Sequence, residues 1–329
     1  MNWEILGHEW AVNLLREQVA RGEARHAYLF TGPPGVGRRT LALRLAQALN
    51  CLEPPSPGEL CLACRPCKAL ERMQHPDLAV VQADREGGTL KVEQVRELQH
   101  SLALHPYAAR YRVALLLRFE EAHPSAMNAL LKTLEEPAPQ VLLVLTAESA
   151  ESLLPTIVSR CEVLRLRPLA LDQVAQGLQA RWGVPPEQAR LLAHISNGRP
   201  GFALGLFQNP GRLERRQAWL DDQWRLLAAN RAERFAYADG LAKDKEAFRS
   251  ATLLWLSFWR DVLIKASGAA APLANLDRAG EIEGLAKRLG IPASQRVINA
   301  LERTLYAQER NLNPRLAAEV LMLDLPQNP

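Results

Sequence analysis

The chain has 329 residues, 48% hydrophobic and 23% charged, and 40 Lys and Arg against 36 Asp and Glu leave a formal charge of +4. That composition predicts a globular chain of two or three domains, and so mild a charge does not by itself indicate a polyanion partner. No apolar run approaches the ~18 residues of a membrane span, and Met1-Asn2-Trp3-Glu4 lacks the basic-then-apolar order of a secretion signal, so the expected compartment is the cytoplasm.

His26–Phe30 is expected as a short strand feeding Gly32-Pro33-Pro34-Gly35-Val36-Gly37-Arg38-Arg39-Thr40, with a helix over Arg39–Leu49. Strand, glycine loop and helix form the context of a phosphate-binding loop, whose working form is G-x-x-x-x-G-K-[ST]. Gly32, Gly35 and Gly37 remain, but Arg38 stands in place of the lysine and Arg39 in place of the hydroxyl residue. A planar guanidinium replaces a compact ammonium poorly, and a cation at the metal-ligand position repels Mg²⁺. Thr40 cannot take over, because one further helical residue rotates its side chain by about 100°. ATP and Mg²⁺ are not expected to bind productively here.

Pro54-Pro55-Ser56-Pro57-Gly58 opens an insertion that carries Cys51, Cys61, Cys64 and Cys67, spaced C-x9-C-x2-C-x2-C. Three thiolates from one tight knuckle and one from upstream would close a tetrahedral zinc shell, which implies a structural ion. Four unrelated thiols and an iron–sulfur cluster are the alternatives. Cys161, far away, reads as an ordinary buried thiol.

Leu78–Gln82, Arg112–Leu117, Val141–Leu145 and Glu162–Leu166 have strand length, and between them Val92, Val95, Leu98, Leu102 and Met127, Leu130, Leu131, Leu134 recur at helical spacing. Alternation of this kind predicts a parallel, doubly wound α/β sheet. A hydrolysing site needs acids at the tip of a central strand, yet Val113–Leu117 runs into Arg118-Phe119. Glu120 and Glu121 come two residues late and are expected to open the next helix instead. Arg160, in Ser159-Arg160-Cys161, is either a surface ion-pair partner or an arginine projecting into a neighbour's nucleotide site. After Pro168 strand signals cease. Leu169–Asn209 reads as a small helical lid and the remainder as helical, with Trp255, Phe258, Trp259, Val262 and Leu263 forming a bundle core or an oligomer face.

The stretch Asn128-Ala129-Leu130-Leu131-Lys132-Thr133-Leu134-Glu135-Glu136-Pro137, with Ser159-Arg160-Cys161 downstream, resembles the signature of AAA+ DNA clamp-loader subunits. The four-cysteine module resembles that of the bacterial clamp loaders, and Asn311-Leu312-Asn313-Pro314-Arg315-Leu316 with Glu319 resembles the last helix of their collar. The resemblance covers about Trp3 to Leu325. It implies a P-loop-type AAA+ domain over 1–167 with its zinc module at about 51–67, a helical lid over 168–208 and an all-α collar over 209–329. The departures separate the chain from the gamma/tau motor subunits. The motors keep Lys-Thr in the loop, Asp-Glu where Leu117-Arg118 stand here, and a sensing arginine where Gly198-Arg199-Pro200-Gly201 has glycine. The resemblance therefore implies a non-motor subunit of the DNA polymerase III clamp loader, one that lends Arg160 in trans to a gamma/tau neighbour. It would sit in a pentameric ring with delta, acting on the sliding beta clamp and primer–template DNA. The rival readings are a gamma/tau-like ATPase with an atypical loop and a zinc-dependent nucleic-acid-binding protein.

Overall fold

The structure is a computed structural model and describes residues 3–85, 87–310 and 312–327. Asn311, which opens the segment matched to the last collar helix, lies outside the described residues, as do Met1 and Asn2. Contacts divide the chain into two compact units, Met1–Gly177 with Gly198–Phe202, and Leu178–Asn197 with Ala203–Pro329.

The first unit opens with α1 (Glu9–Arg21), β1 (Ala27–Thr31), α2 (Arg38–Asn50) and the short α3 (Arg65–Glu71). It continues through β2 (Leu78–Val81), α4 (Val92–Leu102), β3 (Arg112–Leu116), α5 (Pro124–Glu135), β4 (Val141–Ala147), α6 (Pro155–Val158) and β5 (Glu162–Arg165). The five strands are all parallel, in the order β2-β3-β4-β1-β5, with Leu29 opposite Leu145 and Val163 on either side. Because helices cover both faces, the central strands are mostly apolar, and every residue of β1 and β4 is buried, Thr31 and Thr146 included. The edge strands β2, Leu-Ala-Val-Val, and β5, Glu-Val-Leu-Arg, are only partly covered, and β5 carries charge at both ends. Side chains alternate between faces. Tyr28 and Phe30 join Val113, Leu115, Leu142 and Val144 against Leu41 and Leu45 of α2 and Leu15 of α1. Leu29, Ala114, Leu116, Leu143 and Leu145 face the opposite way, onto Val95, Leu98, Leu130 and Leu134 of α4 and α5.

Helices α7 (Leu171–Trp182), α8 (Pro186–Ile195) and α9 (Pro200–Gln208) follow the sheet. Then come α10 (Pro210–Ala228), α11 (Arg231–Leu241), α12 (Lys245–Ala266), α13 (Ala279–Glu309, kinked at Gly290) and α14 (Pro314–Asp324). Gly183 and Gly198 adopt positive φ between the first three of these helices, where the sequence breaks them. In the second unit Phe248, Trp255, Phe258, Trp259 and Val262 of α12 are buried against Ile282, Leu285, Val297 and Leu301 of α13 and Leu321 and Met322 of α14. The stripe read from the sequence is thus bundle core. Arg234, also buried, donates to the carbonyls of Leu226 at 2.9 Å, Met322 at 2.9 Å, Leu325 at 2.8 Å and Pro326 at 3.0 Å. One guanidinium thereby satisfies the orphan C-terminal carbonyls of α10 and α14 together.

Candidate functional site

The loop after β1 is held by protein on every side that the hydrogen bonds report. Gly32 N donates to the carbonyls of Ala147 and Glu148 at the tip of β4 (3.2 and 3.0 Å). Gly201 N donates to Gly35 O at 2.8 Å. His8 Nε2 donates to Val36 O at 3.0 Å, and burial lowers the His8 pKa despite the upward pull of that carbonyl. Glycine is required at two of these positions. Gly32 has φ 142° and a Cβ there would meet Leu166 O at 2.2 Å, while Gly35 has φ 83° and its Cβ would lie 2.7 Å from Phe202 N.

Arg38 opens α2 and is only 8% exposed. Burial lowers the pKa of its guanidinium, and Glu120 and then Glu148 oppose that shift by favouring the charged form. Its Nη1 makes no hydrogen bond among the described residues. Burial in turn raises the Glu120 pKa, with the Arg38 charge working against it. The lysine position of the loop is therefore filled by a desolvated cation within the field of two carboxylates. Arg199 completes the set: its guanidinium lies 4.4 Å from the Phe202 ring centroid, and its pKa is lowered by burial and raised in part by Glu148. Arg39 is exposed and turns its Nη2 to Met73 Sδ, 2.7 Å away; Thr40 is exposed as well.

The expectation that Glu120 and Glu121 open the following helix is corrected. Arg118 takes a left-handed conformation (φ 50°, ψ 53°), Phe119–Glu121 form a single 3₁₀ turn, and α5 starts at Pro124 with His123 as its cap. The reversal at Arg118 brings Glu120 back within reach of Arg38 and ties Glu121 Oε1 to Arg118 Nε at 3.0 Å and to Gly87 N at 2.9 Å.

Arg160 follows α6 on a hydrogen-bonded turn, Arg160 N to Ile157 O at 3.1 Å. Its Nη2 reaches Glu135 Oε1 at 2.6 Å and its Nη1 the Thr156 carbonyl at 2.8 Å, with the side chain 34% exposed.

The Sγ atoms of Cys51, Cys61, Cys64 and Cys67 lie within 4.8 Å of one another. Tetrahedral zinc with ~2.3 Å bonds sets sulfurs about 3.8 Å apart, so these thiols could hold a metal such as zinc with small adjustments. Backbone amides already point at the sulfurs, Cys61 N to Cys51 Sγ at 3.3 Å and Cys64 N to Cys61 Sγ at 3.2 Å. Burial pushes the thiols of Cys51 and Cys67 up, whereas at Cys61 the amides of Cys64 and Ala63 outweigh burial and bring the thiol to about 7. Cys161 is half-buried, and burial raises its pKa to about 12.

Four residues that sequence reasoning passed over belong to these sites: His8, Glu135, Glu148 and Phe202. Glu148 carried a signal, an acid directly after a mostly apolar, fully buried central strand. Glu135 lies inside the very signature that pointed to the family. His8 and Phe202 carried none.

A parallel sheet in this order, with the glycine loop between β1 and α2 and helices after the sheet, is an AAA+ fold. A solved DNA polymerase III gamma subunit-related protein from Thermotoga maritima shares it with TM-score 0.51 at 17% identity, over 95% of this chain and 98% of that one. The family model described as DNA polymerase III, delta subunit, matches residues 7–170. A DNA polymerase III subunit delta' from Bacillus subtilis is 36% identical over 56% of this chain and 55% of its own length. One from Pseudomonas aeruginosa is 34% identical over 64% of each. The tau subunit of Escherichia coli is 32% identical over 62% of this chain and 32% of its own. The chain belongs to the delta' family of clamp-loader subunits. It spans less than two thirds of the length of the curated relatives it matches. Among the described residues no helix is long and apolar enough to cross a membrane.

Proposed function

We propose that this chain is a non-motor clamp-loader subunit that helps place the sliding beta clamp on primed DNA, turns over no ATP of its own, and lends Arg160 to the nucleotide site of a gamma/tau neighbour. The observation that carries the reading is the contrast between its two arginine sites. Arg38 is buried where a loop lysine would meet phosphate and lies in the field of Glu120 and Glu148, so an incoming triphosphate would meet carboxylates and no metal ligand. Arg160 is partly exposed on a rigid turn, and its Nη1 bond to Thr156 O fixes the direction of the guanidinium. Its partner Glu135 is half-exposed, and such surface pairs contribute ~0–1 kcal/mol, so a phosphate can displace the carboxylate readily. A planar fork meeting the transferring phosphoryl oxygens is what an arginine finger supplies in trans.

In this reading residues 1–167 form the degenerate nucleotide-binding domain, 168–208 the lid and 209–329 the collar that joins a pentamer containing gamma/tau and delta. The four cysteines hold one structural zinc, and the chain works in the cytoplasm as part of the polymerase III holoenzyme. ATP at the neighbour's site favours the clamp-open, DNA-binding state only if it binds that state better, and Arg160 is one contact that can supply the difference. The deciding experiment is reconstitution with gamma/tau, delta and the beta clamp: the Arg160→Ala variant should assemble normally yet lower DNA-stimulated ATPase and clamp loading. Unchanged ATPase would remove the finger. Calorimetry of the isolated chain with ATP–Mg²⁺ should show no binding, and measurable turnover by the chain alone would instead favour a gamma/tau-like motor.

A further inference from the structure

We propose that the outer face of the four-cysteine module is a docking surface for the phosphodiester backbone of duplex nucleic acid, read without regard to sequence. The surface is built on α3, where Arg65, Lys68 and Arg72 fall at i, i+3 and i+7 and are exposed on one side. Pro66, Cys67 and Leu70 face the other way and are buried, so the thiol cluster anchors the helix and settles which side is outermost. A groove of about 420 Å³ runs along that side, lined by Ala63, Arg65, Lys68, Ala69, Arg72 and Gln74.

Three features fit a nucleic-acid backbone. The one acid of the helix, Glu71, is paired with Arg44, accepts from Gln47 Nε2 at 2.9 Å and does not line the groove. Among the described residues none of Arg65, Lys68 and Arg72 has an ion-pair partner, so three unit charges are left uncompensated. Arg39 stands at the near edge through Met73, the residue after Arg72. Spacing agrees as well. From Arg65 to Arg72 the chain rises ~10 Å, comparable to the axial advance of about three duplex steps at ~3.4 Å of helix axis per phosphate. Alanines at 63 and 69 leave room between the cations for a backbone to approach. The groove has no aromatic side chain to stack an unpaired base, and so favours a duplex over a single strand. This assignment is independent of Arg160 and of the neighbour's nucleotide.

The test is fluorescence anisotropy of the full chain with a labelled 20-base-pair duplex across a salt series, comparing wild type with the triple variant Arg65→Gln, Lys68→Gln, Arg72→Gln. Loss of three phosphate contacts should weaken binding about tenfold or more at low salt and reduce the slope of log K against log salt by about 2–3. The single Lys68→Gln variant should reduce it by about 1. Equal thermal midpoints and metal content establish that the variants fold. An unchanged affinity and slope overturns the proposal. Tighter binding of a single strand than of the duplex, or poly-L-glutamate bound in place of DNA and released by the same substitutions, overturns it too, the latter in favour of an acidic protein partner.

Discussion

Arg160 and Glu135 form an ion pair of 2.6 Å that joins the end of α5 to the turn after α6. The two most distinctive motifs of the sequence, the ten-residue stretch ending Glu135-Glu136-Pro137 and Ser159-Arg160-Cys161, thus meet at one contact. If the carboxylate merely parks the guanidinium, Glu135→Gln should preserve DNA-stimulated ATPase of the reconstituted complex, since Thr156 O still orients Nη1. Arg160→Lys keeps the charge but loses the fork, and should fall between wild type and Arg160→Ala. At the one affected site Arg160→Ala should cost ~10³-fold or more in turnover, leaving other sites active. Single-turnover ATPase counts the sites directly.

Restoring the loop's residues should not restore an engine. The double variant Arg38→Lys, Arg39→Thr regains the working pattern, yet Glu120 and Glu148 remain beside position 38 and no acid follows β3 directly. Calorimetry with ATP–Mg²⁺ should show at most weak binding, and a phosphate-release assay no turnover.

The thiol cluster is expected to contain one zinc per chain by elemental analysis. Cys64→Ser removes a ligand at the N-cap of α3 and should release the ion. Losing ~3 kcal/mol of metal-linked stability would lower Tm by roughly 6–12 °C, with chelation of wild type having a similar effect. Calorimetric melting with and without chelator checks this.

Asp77 predicts acid sensitivity. It is buried, and burial by itself raises its pKa, but amides of Tyr107 at 2.7 Å, Ala108 at 2.7 Å and Ala109 at 2.9 Å outweigh burial and hold the carboxyl below its usual value. With the folded pKa below the unfolded one, the unfolded chain binds the extra proton. The stabilisation is therefore full above the unfolded value near 4 and disappears as pH falls through the folded value. Asp77→Asn should cost about 2–4 kcal/mol at pH 7 and flatten that part of the stability–pH curve, as read from urea unfolding at pH 3–7.

Arg234 predicts a large effect far from any ligand. Arg234→Met fills the space but strands at least four carbonyls at the ends of α10 and α14, and should destabilise by about 3 kcal/mol or more. Denaturant unfolding should show the loss.

Strand positions were legible to within two residues because central parallel strands are dominated by apolar residues: Val141–Leu145 extends only to Ala147, and His26–Phe30 shifts to Ala27–Thr31. The cysteine cluster was legible from spacing, since short spacings leave thiols little freedom to part. The fate of Glu120 was not. It depended on a left-handed Arg118, a conformation that arginine rarely adopts and that no local pattern announces. Buried Arg234 and His8 were equally silent, since their partners are backbone carbonyls, which every residue carries.

The bond from Gly201 to Gly35, with Phe202 packed beside it, has one more implication. Main chain from far downstream thus clasps the loop, so its posture is set when the chain folds.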